Sequence, residues 1–279
     1  MQTTYLLTHK FNNTPNSTNY IYDCIKNTQA LNQYTPPINN ILHLAKITPT
    51  IQVTVNQGIL NQGSLGSCGP NALAVAVSVA SKSKINDLCR LYTYFNTEAL
   101  EGANPLQDYG VITQVLVQSL QKYKCCPEKY FPYVSTNYLK PPPLTCYQNT
   151  YAISNVVYTY ISQNSSMFVN IQNAILNTIH QIPGQITGII VGIQVYNSFL
   201  TSAVASNGIV PMPNTKTEPL AGGHCVALIG YVTIGNSYYV VFQNSWGASW
   251  GNNGCGYLPI AYLQNPALSE KPTVISFNY

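Results

Sequence analysis

Charge is what this chain most lacks. Of 279 residues only 12 are Lys or Arg and 8 are Asp or Glu, and Arg90 is the single arginine. A charged share of 7% stands far below the roughly 25% of an ordinary soluble domain. The surface therefore has to be covered by Asn, Gln, Ser, Thr and Tyr, of which Tyr alone numbers 22. The net charge of +4 is scattered, with no basic run, so no nucleic-acid partner is expected. No apolar stretch approaches the about 18–20 residues of a membrane span, and no membrane partner is expected either. The start, "MQTTYLLTHKFNN", lacks a basic segment followed by an apolar one, so no signal peptide is expected and the compartment stays open. The eight cysteines (24, 68, 89, 125, 126, 146, 225 and 255) contain no repeated C-x-x-C spacing. Neither a structural zinc nor any cofactor is expected from them, and reduced, buried thiols are the default reading.

What is present changes character along the chain. Residues 1–47 are polar, rich in Asn and Thr, and broken by Pro15 and Pro36–Pro37. They read as an extension or short pro-segment, and residues 48–279 as the main domain. Ala72–Ser81 is apolar on almost every side, as a central buried helix would be. Asp87–Leu100 and Val111–Tyr123 read as helices, the second with Val111, Val115, Leu116 and Leu120 facing inward. "KPPP" at 140–143 is the expected join between two halves. Beyond it, Phe168, Ile171, Ile175 and Ile179 mark another helix, and residues 186–195, 224–232 and 237–243 are strand-like runs. Helices lead and strands follow, which predicts an α+β architecture with two lobes.

Three short motifs carry chemistry. In "QGSLGSCGPNALAVAV" (62–77), Pro70 suits the first turn of a helix. Cys68 therefore stands at or just before a helix N-terminus, where the positive end of the dipole favours a thiolate. Gly66 and Gly69 are expected to keep its approach open. In isolation a small buried cysteine in a Gly-rich turn would read the same way. In "AGGHCVALIGY", His224 opens an apolar strand, a setting that none of the other three histidines shares. In "QNSWGASWGNNGCGY", Asn244 ends a strand beside Trp246, and both tryptophans of the chain lie here. An amide so placed can accept the Nδ1 proton of a histidine and fix its tautomer, with Trp246 shielding the bond from water.

Together these segments resemble the papain family of cysteine proteases, the cathepsin-like peptidases, and look closest to its bacterial and large-virus branch. Gln62 through Cys68 is similar to the segment with an oxyanion glutamine six residues before the nucleophile. Gly223–His224 matches the segment of the general base, and Asn244-Ser245-Trp246-Gly247 that of the orienting asparagine. Cys68 and His224 are 156 residues apart, slightly beyond the about 130–150 usual for the family. The resemblance implies a two-lobe fold, with the nucleophile on a central helix of a helical N-terminal lobe and a β-barrel-like C-terminal lobe. It implies peptide-bond hydrolysis through a thioester acyl-enzyme, with Cys68, His224, Asn244 and Gln62 catalytic. Gly66, Gly223 and Trp246 are expected to line the substrate site, and no cofactor is implied. The expected partners are a protein or peptide substrate and the chain's own N-terminal segment in the cleft.

Two departures stand out. The family usually has Cys three residues before the nucleophile and an aromatic residue just after it, where this chain has Leu65 and Gly69. The disulfide that normally pins this loop cannot form in the usual way. No two histidines are neighbours, so an occluding loop is absent and endopeptidase action is the expectation. The alternatives are another acyl transfer on the same fold, such as a transpeptidase or deubiquitinase-like hydrolase, or a catalytically dead binding homologue.

Overall fold

The computed structural model describes residues 50–279 except Ser135; the extension expected over residues 1–47 lies outside the described residues. Its centre is α1 (Cys68–Ala80), thirteen residues that are all buried. Ala, Val and Leu on every side leave this helix no face to offer water, so it must be enclosed. It packs on the sheet through β3 (Gly188–Tyr196), β4 (Leu220–Ile234) and β7 (Thr273–Asn278), and on α2 (Arg90–Leu100) and α3 (Thr113–Tyr123). Gly69 serves that packing and not the openness expected of it. A Cβ there would lie 2.5 Å from Val111 Cγ2, so only glycine lets α3's leading segment approach α1 so closely.

The two following helices are shorter than the sequence predicts. α2 begins at Arg90 because Leu88 is bridged to Pro127 and the Cys89 N–H donates to Cys126 O at 2.9 Å. α3 begins at Thr113 and buries Thr113, Leu116, Val117, Ser119 and Leu120; all but Ser119 fall on the i, i+3, i+4, i+7 spacing of a helix packed on one side. Val115, expected inside, is only half-buried. The triple proline does not join the halves. It leads into α4 (Leu144–Gln148), whose Cys146 is buried beside Cys89 and Cys126 in the helical lobe. The chain crosses to the sheet only afterwards, at β2 (Ser154–Tyr160).

The sheet also takes in β1 (Ile51–Gln52), β5 (Ser237–Gln243) and β6 (Cys255–Pro259), and every pairing is antiparallel. Its order is β2-β7-β3-β4-β5-β6, with β1 added to β4. The barrel-like lobe thus takes the form of an antiparallel sheet whose hydrogen-bonded path runs from β2 to β6. β4 is six residues longer than the run expected over 224–232, because its ends pair with the end of β3 and with the start of β5. α5 (Met167–Ile179) buries Phe168, Ile171 and Ile175 but exposes Ile179. Two short helices, α6 (Ser202–Asn207) and α7 (Ile260–Gln264), complete the fold.

Candidate active site

Cys68 is the first residue of α1, and no acidic side chain occupies that turn. The positive end of the helix dipole therefore acts on the thiol, which favours the thiolate. The loop before it is gripped from three sides. Gly63 turns the chain with a φ of +61°, a conformation glycine adopts without strain. The Gly66 N–H donates to both carboxylate oxygens of Asp108, at 2.9 and 3.0 Å. The Asn71 Nδ2 donates to Ser67 O at 2.8 Å, and the Tyr133 hydroxyl donates to Gln62 O at 2.9 Å. With its one proton so used, Tyr133 accepts from Ser67 Oγ at 2.5 Å.

Gln62 is buried and its amide is oriented at both atoms. Its Oε1 accepts from Ser245 Oγ at 2.5 Å, and one Nε2 hydrogen goes to Leu65 O at 2.9 Å. An amide nitrogen carries two hydrogens, so the second has its direction set by these two bonds.

His224 lies in β4 opposite Ile193 of β3 and is fully buried. Asn244 Oδ1 stands 2.8 Å from its Nε2, and not from Nδ1 as the sequence reading expected. The same Oδ1 accepts the Ser245 N–H at 2.8 Å, which identifies that atom as oxygen. Nε2 must then carry a proton, and in the neutral ring Nδ1 holds the lone pair. Trp246 stacks on the imidazole with centroids 4.7 Å apart and an interplanar angle of 28°. Trp250 meets Trp246 edge-on at 5.5 Å, so the ring that covers His224 is itself held.

Helix and strand meet at this point. Cys225, next after His224, has its thiol pushed well up by burial and, secondarily, by charge on Cys68. Cys68 heads α1, and α1 packs on β4, the strand that carries His224. Gly66 and Gly223 are both buried at this junction, the latter paired with Gln194 of β3.

Sequence reading missed the layer beneath. Arg90 forks onto Glu128 with two bonds of 2.7 Å, donates to Asn71 Oδ1 at 2.9 Å and lies 3.8 Å above the Tyr133 ring. It thereby braces both residues that hold Ser67. The signal was available: a lone arginine in a charge-poor chain is costly to bury unless paired. Asp108 was equally invisible, since nothing in "LQDYG" points to a loop 42 residues away. Burial raises its pKa, although bonds from Tyr94 and Gly66 act the other way.

Comparison with known proteins agrees with this geometry. Residues 52–270 match the family model described as papain family cysteine protease. An uncharacterized peptidase C1-like protein of Acanthamoeba polyphaga mimivirus is 29% identical over 241 residues, covering 84% of this chain and 73% of its own. Xylellain, a cysteine protease from Xylella fastidiosa, superposes with a TM-score of 0.67 at 27% identity, covering 87% of this chain and 90% of that one. The proform of the ragweed pollen allergen Amb a 11, a cysteine protease, shares the fold with a TM-score of 0.59 at 16% identity, over 90% of this chain and 74% of that one. The chain belongs to the papain family of cysteine proteases and is a cysteine peptidase.

Proposed function

We propose that the chain cleaves peptide bonds within a polypeptide through Cys68 as nucleophile and His224 as base. The observation that carries this is the Asn244–His224 bond, because it leaves Nδ1 as the basic nitrogen of a ring held under Trp246. Cys68, activated at the α1 N-terminus, gives its proton to His224 and attacks the scissile carbonyl, forming a tetrahedral oxyanion. The Gln62 side-chain amide and the Cys68 N–H are the donors aimed at that oxygen. His224 then protonates the leaving amine, a thioester remains, and water activated by His224 releases the acid. Asn244 orients the imidazole throughout and exchanges no proton. Gly66 has committed its N–H to Asp108, so its carbonyl is the group left to pair with an extended substrate. Gly223 and Trp246 flank the leaving-group side.

Residues 1–47 act in this reading as a short pro-segment. Both reacting side chains are fully buried, which supports a cover as part of this reading, and the ragweed relative's structure is of its proform. A tethered cover has an effective concentration of millimolar order. A chain beginning at Thr48 should show a higher kcat/KM on a short peptide than the full chain; equal values would refute the cover.

A thiol-directed epoxide tests the site itself. It should inactivate the enzyme with one adduct, mapped to Cys68, and Cys68→Ala should bind no label and cleave no peptide. Residual cleavage by His224→Ala at the wild-type rate would overturn the assignment of the base.

A further inference from the structure

Away from the cleft, three thiols converge where the helical lobe closes. Cys89 caps α2, Cys126 follows α3, and Cys146 lies in α4. All three are fully buried, and their sulfur atoms lie within 4.8 Å of one another. The peptidase mechanism uses none of them. They come from separate segments, so no spacing rule in the sequence could reveal them. A carbonyl oxygen, that of Phe131, lies 3.3 Å from Cys89 Sγ.

A tetrahedral zinc ion holds thiolate sulfur at about 2.3 Å and oxygen at about 2.1 Å, which puts neighbouring ligand atoms about 3.6–3.8 Å apart. The Cys89–Phe131 pair already has nearly that spacing. The sulfur atoms need to close by at most about 1 Å, within the reach of side-chain rotation. A disulfide would consume two thiols and strand the third, whereas an ion uses all three. Three sulfur donors favour a thiophilic d¹⁰ cation over magnesium or calcium, which select oxygen.

We propose that Cys89, Cys126 and Cys146 form a structural site for a zinc-class dication, with the Phe131 carbonyl as fourth donor. One ion replaces three thiol protons, which pass to solvent, and no oxidant or reductant takes part. The ion ties together the start of α2, the turn after α3 and α4. Cys89 precedes Arg90 and Cys126 lies two residues before Glu128, so it also braces the fork beneath the nucleophile loop. The site is independent of the catalytic reading and is expected to affect stability, not chemistry.

The test uses the full chain carrying Cys68→Ser, which removes the thiol among the described residues expected to compete. Protein refolded with cobalt(II) should show tetrahedral thiolate-to-cobalt absorption, and protein expressed with zinc should contain one ion per chain by elemental analysis. Cys126→Ser and Cys146→Ser should each lose both signals, while Cys225→Ser keeps them. If Cys126→Ser does not fold, the cobalt spectrum of the parent and of Cys146→Ser decides. Absence of metal and of the cobalt band from the refolded parent would overturn the proposal. So would unchanged metal content in a folded cysteine variant, or a disulfide within the trio found by mass spectrometry.

Discussion

Ser245 and Gln62 are joined twice: the Ser245 hydroxyl donates to Gln62 Oε1 at 2.5 Å, and the Gln62 N–H donates to Ser245 O at 2.8 Å. The proposed oxyanion donor is therefore mounted on the residue next to the proposed orienting amide, 183 positions away in sequence. Substitution of Ser245 by Ala should release the Gln62 amide without removing it. Loss of a whole oxyanion donor costs about 10²–10³ in rate, and a misaimed donor should cost less, about tenfold in kcat with KM little changed. Steady-state kinetics on a peptide amide checks this; a change confined to KM would place Gln62 in ground-state binding.

Asn244→Ala should yield a folded enzyme with reduced turnover, since it removes only the anchor of the imidazole. Cys68→Ala and His224→Ala should each abolish cleavage, and the double variant should be no worse than either single, because paired groups fail as a unit. An additive loss would show that the two act in separate steps.

Thiol reactivity should be sharply ranked. Burial raises the thiols of Cys125 and Cys225 and pushes Cys255 up to about 11, so each stays protonated and inert near neutrality. In a chain beginning at Thr48, limiting iodoacetamide at weakly acidic pH should modify Cys68 first. Earlier labelling of Cys255, the one partly exposed cysteine among those described, would contradict the helix-end activation.

Asp108 carries a signed pH effect. Burial lifts its pKa above 3.8 in the folded chain, so the folded state binds that proton more readily than the unfolded one. Its contribution to stability is therefore largest below the unfolded value and falls as pH rises through the folded value. Asp108→Asn should flatten that part of the stability curve, measured as denaturation midpoints across the acidic range. Asp108→Ala should also leave the Gly66 N–H without an acceptor, a loss of about 1–3 kcal/mol. A wild-type curve already flat in this range would refute the linkage.

Gly69→Ala should destabilise by about 1–3 kcal/mol as an overpacked core position, even though alanine is the better helix former. Val111→Ala, which removes the Cγ2 that a new Cβ would strike, should restore much of the loss in thermal denaturation. A stabilised Gly69→Ala would mean the helices part freely.

How much of this was legible in sequence depended on range. The apolar α1 segment, the β5 strand and the Cys68, His224 and Asn244 motifs announce themselves locally, through period, turn residues and chemical type. The strands β2, β6 and β7 did not, because β2 and β7 pair mainly with each other across more than a hundred residues. β2 in particular buries none of its residues fully, so its local sequence shows no apolar face. The choice of imidazole nitrogen was misread because it depends on the side-chain torsions of His224 in the folded chain, which residue identity does not encode. Asp108, Arg90 and Glu128 escaped for a related reason: each acts on a loop that only the fold brings near.

The Asp108–Gly66 contact has a consequence for where such an enzyme can work. A thiol nucleophile is lost to oxidation, while the cross-link that usually shapes its loop is lost to reduction, so most relatives must balance two opposite demands. Here a carboxylate and a peptide N–H do the shaping, and neither exchanges electrons. Reducing glutathione should leave the loop's form unchanged, and the milieu that best preserves Cys68 carries no penalty for the scaffold around it.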